Sequence, residues 1–183
     1  MSNLSRRDFV MTAGLAAAAG IGGQLSVSPA LGKRSDLKSV DDPAGFAHRF
    51  AAVNGIRMHY VEQGAGVPVI LCHGFPHLWF SWRHQIPVIA QAGFRPVAPD
   101  MRGMGQTDAP ADVAAYDVPQ ITGDLLGLLD AIDEERAVFV GLDFGAFAVY
   151  DLAFRAPERV VAVIGLENPA APHNPAMPPL AEY

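Results

Sequence analysis

Asp143 stands at the centre of Gly141-Leu142-Asp143-Phe144-Gly145. In such a spacing the two glycines let the backbone turn sharply out of a strand and into a helix, lifting the side chain between them to the top of a sheet. The flanks agree with that reading. Arg136-Ala137-Val138-Phe139-Val140 is a short apolar, partly β-branched run that reads as a buried strand, and Ala146 to Ala156 has helix-forming composition ended by Pro157. A carboxylate in this position dictates a particular chemistry. A hydroxyl attacking an alkyl carbon leaves an inert ether, whereas a carboxylate leaves an ester whose carbonyl water can attack. Asp143 is therefore the expected nucleophile of an alkyl displacement, such as opening an epoxide or cleaving a carbon–halogen bond. With a reference pKa of about 3.9 it is ionised at neutral pH unaided, so a base is needed only for the water step.

The elements that must position Asp143 alternate between strand and helix. Phe50–Val53 and Ile56–Val61 flank Asn54-Gly55, a strong hairpin signal because both turn residues tolerate positive φ. Further strands are expected over Val67–Cys72, Phe94–Pro99, Val138–Val140 and Val160–Leu166. Between the fourth and fifth strands, Val118, Ile121, Leu125, Leu128 and Ile132 recur at helical spacing, with Asp117 as N-cap and Pro119 in the first turn. This alternation predicts an α/β fold with a mainly parallel sheet covered by helices on both faces.

Composition narrows the field. The chain has 183 residues, 50% of them hydrophobic, and a net charge of -6, enough apolar material for one domain core and no basic surface for nucleic acid. Cys72, the single cysteine, falls in an apolar strand, which excludes a disulfide within the chain and a cysteine-rich metal site. Neither a cofactor nor a metal is expected. At the N-terminus, Ser5-Arg6-Arg7-Asp8-Phe9-Val10 resembles a twin-arginine export motif, followed by a mildly apolar Gly/Ala-rich stretch from Val10 to Leu25. Residues 1–32 are expected to be a signal peptide, with cleavage after Ala30 or Gly32, and residues 33–183 the exported domain. Its partners would be the export machinery and a signal peptidase, without stable membrane insertion, and its location periplasmic or extracellular.

Three further stretches carry a family resemblance. His73-Gly74-Phe75-Pro76-His77-Leu78-Trp79-Phe80-Ser81-Trp82-Arg83-His84-Gln85 and Ala98-Pro99-Asp100-Met101-Arg102-Gly103-Met104-Gly105, together with the aspartate elbow, resemble epoxide hydrolases of the α/β-hydrolase fold. Asn174-Pro175-Ala176-Met177-Pro178-Pro179-Leu180 is similar to the approach to that family's cap domain. The resemblance implies that the backbone N–H groups of Phe75 and Phe144 form an oxyanion hole, and that Phe75, Pro76 and Phe144 line the substrate site. It further implies that the substrates are a small apolar epoxide and water. His73 is expected to fix its loop through hydrogen bonds, Asp100 and Arg102 to organise theirs, and Trp79, Phe80 and Trp82 to pack.

Some features depart from the family pattern. Leu142 and Phe144 stand where epoxide hydrolases commonly carry His and Trp, and Phe75 and Phe144 lack the side-chain N–H donors with which haloalkane dehalogenases hold halide. Glu167, at the end of the sixth expected strand, resembles the acid that orients histidine in some of those dehalogenases, and a strand-end glutamate near solvent is an equal reading. The expectation is thus an epoxide hydrolase-like chain carrying about six strands of the fold and ending at the start of the cap, without the family's cap tyrosines and water-activating histidine, and inactive in turnover alone. A haloalkane dehalogenase and a non-catalytic binding module on the same scaffold are the alternatives.

Overall fold

In the computed structural model, which describes residues 45–167, Asn54 and Gly55 both take positive φ, 41° and 78°. That is the backbone a two-residue hairpin turn needs. They join β1 (Ala47–Val53) to β2 (Ile56–Glu62) in an antiparallel register that closes on Val53 opposite Ile56. The twin-arginine stretch, residues 1–32 as a whole, and residues 174–180 lie outside the described residues.

The chain continues as β3 (Pro68–Cys72), α1 (Gln85–Gln91), β4 (Arg95–Pro99), α2 (Val118–Ala131), β5 (Ala137–Leu142), α3 (Phe144–Arg155) and β6 (Val160–Leu166). The six strands form one sheet in the order β1-β2-β4-β3-β5-β6. From β4 onward every pairing is parallel, and the opening hairpin joins through an antiparallel contact between β2 and β4.

Alternation along the strands divides the core between the two faces. In β3, Ile70 and Cys72 point to one side, where Met58, Val97 and Phe139 meet Leu125, Leu128 and Leu129 of α2 and Val149 and Leu152 of α3. Val69 and Leu71 point to the other, with Val61, Ala98 and Val140, and are covered by Trp79, Trp82 and Ile86. Helices therefore cover both faces, as the sequence pattern requires. Asp117 caps α2 by accepting the Gln120 N–H at 2.8 Å, with Pro119 in the first turn. Cys72 is wholly buried in the core, and burial pushes its thiol pKa far up.

Strand ends shift by a residue or two at β2, β3, β4 and β5, and two further shifts have a local cause. β1 begins at Ala47 rather than Phe50, because its outer residues are exposed and are held by pairing to β2 instead of by burial. α3 begins at Phe144 rather than Ala146, since the Ala146 N–H already bonds the Asp143 carbonyl at 2.9 Å. Phe80, expected to pack, is 38% exposed, with the Arg83 guanidinium 4.4 Å above its ring.

A buried ion pair ties the hairpin to the helical layer. Arg102 donates from Nε to Asp124 Oδ2 at 2.8 Å and from Nη2 to Oδ1 at 2.5 Å, while Asn54 Nδ2 donates to the same Oδ1 at 3.0 Å. Both charged side chains are buried, and the Asp124 carboxylate raises the Arg102 pKa further. Arg102 thereby organises its loop as expected.

Candidate functional site

Parallel pairing of β3 with β5 sets Cys72 level with Gly141, so His73-Gly74-Phe75 and Asp143 leave neighbouring strands at the same C-terminal edge. Open α/β sheets bind their ligands at such edges. Asp143 occupies the turn with φ 52° and ψ −118°, a conformation that costs a non-glycine residue energy and is held by the strand and helix on either side. Two glycines make the approach possible. A Cβ on Gly74 would come within 2.6 Å of Asp143 Oδ1, and one on Gly145 would press into the carbonyls of Cys72 and His73.

Across this gap the Phe75 N–H donates to Asp143 Oδ1 at 3.0 Å. That hydrogen bond first, and the Phe144 N–H second, lower the Asp143 pKa below the usual carboxylate value, with the nearby His77 acting in the same direction. Burial opposes the shift only weakly, for the carboxylate is half-buried. The two N–H groups singled out from the sequence thus converge on the expected nucleophile. Pro76 follows Phe75 through a cis peptide bond.

His73 is buried and sits under the loop. Its Nε2 accepts the Met101 N–H at 2.9 Å, which leaves Nδ1 as the protonated nitrogen that donates to the Gly74 carbonyl at 2.8 Å. Burial lowers its pKa, favouring the neutral ring this arrangement uses. The sequence reading of His73 as a loop anchor agrees with these bonds.

The rim is aromatic. Phe75, Phe144 and Phe147 are 61%, 59% and 50% exposed, with ring centroids 6.4 Å apart for the first pair and 6.3 Å for the second, both edge-on. Phe147 lies one turn beyond Phe144 on α3, and its i+3 spacing from Phe144 is the sequence signal that sets it at the same rim. Glu167 is exposed with φ 73° and follows Leu166, whose carbonyl lies 3.5 Å from the Asp143 N–H. It stands at the same sheet edge as the nucleophile. Among the described residues no group of three His, Cys, Asp or Glu side chains could hold a metal ion. No helix among them is long and apolar enough to cross a membrane.

Residues 67–183 match the family model described as alpha/beta hydrolase fold. The chain belongs to this family. Within it the likeness runs to epoxide hydrolases, both in sequence and in fold. An epoxide hydrolase of Caballeronia sordidicola is 51% identical over 135 residues, 74% of this chain and 41% of that protein. A bifunctional epoxide hydrolase 2 of Sus scrofa is 42% identical over 160 residues, 87% of this chain and 28% of that protein. Among solved structures, an epoxide hydrolase of Vigna radiata superposes with a TM-score of 0.72 at 40% identity, covering 75% of this chain and 44% of that one. The epoxide hydrolase A of Mycobacterium thermoresistibile gives 0.69 at 46% identity, covering 70% and 41%. The chain therefore spans less than half the length of each of these relatives.

Proposed function

We propose that Asp143 opens an apolar epoxide by forming an aspartyl ester. The observation that carries this reading is a carboxylate, set at a strained strand-to-helix turn, whose Oδ1 already accepts the Phe75 N–H at 3.0 Å. In the first step the other carboxylate oxygen bonds to an epoxide carbon, the bond from that carbon to the epoxide oxygen breaks, and this oxygen, still held by the second carbon, becomes an alkoxide that takes a proton from water. Oδ1 becomes the carbonyl oxygen of the ester. When water attacks that carbonyl carbon and gives a proton to solvent, negative charge develops on Oδ1, where the N–H groups of Phe75 and Phe144 stabilise it; collapse breaks the bond to the alkyl oxygen, which takes up a proton as the diol departs, and the acid formed loses its proton to restore the carboxylate. The Phe75, Phe144 and Phe147 rings favour an apolar, aryl-bearing substrate, and they offer no N–H donor to a departing halide.

The buried histidines of the described chain are engaged elsewhere, His73 with Gly74 and Met101 and His59 with Asp100 and His48. Neither is placed to activate water for the second step, and the expectation to be tested is that the ester accumulates. Incubation with styrene oxide followed by intact-mass and peptide analysis tests the reading. One adduct equivalent on Asp143, absent from Asp143→Asn, is the expected result, and an adduct on Asp143→Asn would overturn it. Sustained diol production by the same chain would overturn the expected accumulation and direct attention to His77.

On sequence alone we also propose twin-arginine export to the periplasm or beyond, supported by Ser5-Arg6-Arg7-Asp8-Phe9. Replacing Arg6 and Arg7 by lysine should retain the protein in the cytoplasm. Unchanged fractionation would count against it.

A further inference from the structure

We infer that His59 is a positioning residue for the nucleophile, holding, through Asp100, the far end of the loop that brings the Phe75 N–H to Asp143. The inference rests on the reading of Asp143 as nucleophile. The loop is gripped at both ends by consecutive residues after β4. Met101 donates its N–H to His73 at the near end, and Asp100 Oδ1 accepts the Trp79 N–H at the far end, at 2.9 and 3.0 Å. Whatever fixes the Asp100 carboxylate therefore fixes the span between, which includes Phe75.

Asp100 is buried, and a buried carboxylate keeps its place only where its oxygens are satisfied. Oδ2 accepts the Gln106 N–H at 3.1 Å and lies 2.8 Å from His59 Nδ1. Because an ionised carboxylate only accepts, His59 must carry a proton on Nδ1. Its Nε2 then faces His48 Nδ1 at 2.9 Å, which ties the buried ring to the exposed strand β1. The backbone is bound as firmly. The Asp100 N–H donates to the His59 carbonyl at 2.9 Å, and Thr107 Oγ1 accepts the His59 N–H while donating to the Asp100 carbonyl.

With His59 removed, Oδ2 keeps only the Gln106 N–H, and the carboxylate is free to rotate or draw in water, loosening Trp79. The consequence appears at Asp143, which His59 does not touch. Among the described residues, His77, whose charge acts on Asp143, and Glu167, at the same sheet edge, are left unchanged by the substitution.

The experiment compares full-length wild type, His59→Phe and His59→Asn, in which the amide can still donate to Asp100. Carboxyl carbon NMR follows the Asp143 titration, and adduct formation with styrene oxide gives the rate. In His59→Phe the Asp143 pKa should rise toward the ordinary carboxylate value and alkylation should slow about tenfold; His59→Asn should restore both. An Asp143 titration identical in wild type and His59→Phe would overturn the inference. Should His59→Phe fail to fold, imidazole nitrogen NMR of the wild type decides. His59 protonated on Nδ1 is required, and a proton on Nε2 alone would overturn it. Failure of the wild type to form any adduct would sink the functional reading while leaving the titration comparison intact.

Discussion

Two polar regions of this molecule are built on opposite plans. At the sheet edge, Asp143 is half-buried, strained and held by backbone N–H groups, with exposed phenyl rings around it. Elsewhere, the Asp100–His59 and Arg102–Asp124 pairs are buried, and each carboxylate meets a side-chain donor from another element, with the Trp79 and Gln106 N–H groups completing the shell of Asp100. The difference separates reactivity from support. A backbone donor cannot rotate away and brings no charge of its own, so it can hold a carboxylate that must remain reactive toward an incoming carbon. A buried ion pair resists displacement, because losing one partner leaves the other charged, buried and unpaired.

The largest effect should come from breaking the buried side of this comparison. Asp124→Ala leaves the Arg102 guanidinium buried without its counter-ion, and should cost about 3–5 kcal/mol. Replacing both partners by apolar residues, Arg102→Met with Asp124→Leu, should cost much less. Chemical denaturation of the single and double variants measures both. A double variant as unstable as Asp124→Ala would show that the charges contribute more than their mutual compensation.

Next comes the contact that joins the regions. Ala at position 74 places its methyl group against Asp143 and the Leu142 carbonyl, backbone that has no room to retreat. Gly74→Ala should slow adduct formation about 100-fold, the expected consequence of roughly 1 Å of misplacement at a reacting group. Its loss of stability should remain smaller than that of Asp124→Ala. Slowed alkylation with an unperturbed fold sharpens the division; a variant that melts like Asp124→Ala and alkylates normally when folded would erase it.

How much of this organisation is legible in the sequence follows from the same division. The elbow announces itself because its glycines, flanking strand and following helix are contiguous, and Phe75 and Phe144 can be assigned because only their backbone N–H groups are needed. Cys72 and the α2 stripe are legible through burial and helical spacing. His59 is not. Its partner Asp100 lies 41 positions away, and the two meet only because β2 pairs with β4, where Tyr60 stands opposite Pro99. A lone histidine on a strand carries no local sign of that pairing. Arg102 and Asp124 were likewise invisible as a pair, although Arg102 stood out in its motif. Phe147 was legible by spacing, and its place beside Phe144 became evident only with α3 starting directly after the elbow.

The smallest effect concerns protons. The Phe75 N–H and then the Phe144 N–H favour ionised Asp143, so its folded-state pKa lies below its ordinary value. A group depressed in this way contributes stability that is fully present above its unfolded pKa and is lost as pH falls through the folded pKa. The rate of alkylation should follow the same carboxylate. The midpoint of its fall should lie below the ordinary aspartate value of 3.8. Rapid mixing of the protein with an acid-tolerant alkylating probe such as iodoacetamide, quenched and read by mass at Asp143, traces the profile without relying on epoxide stability. Gly74→Ala, which displaces the Phe75 N–H, should move the drop up toward 3.8. A wild-type profile that already breaks at or above this value would mean that the two N–H groups do not favour the anion, and the contrast between a backbone-held reactive carboxylate and its buried supports would lose its electrostatic basis.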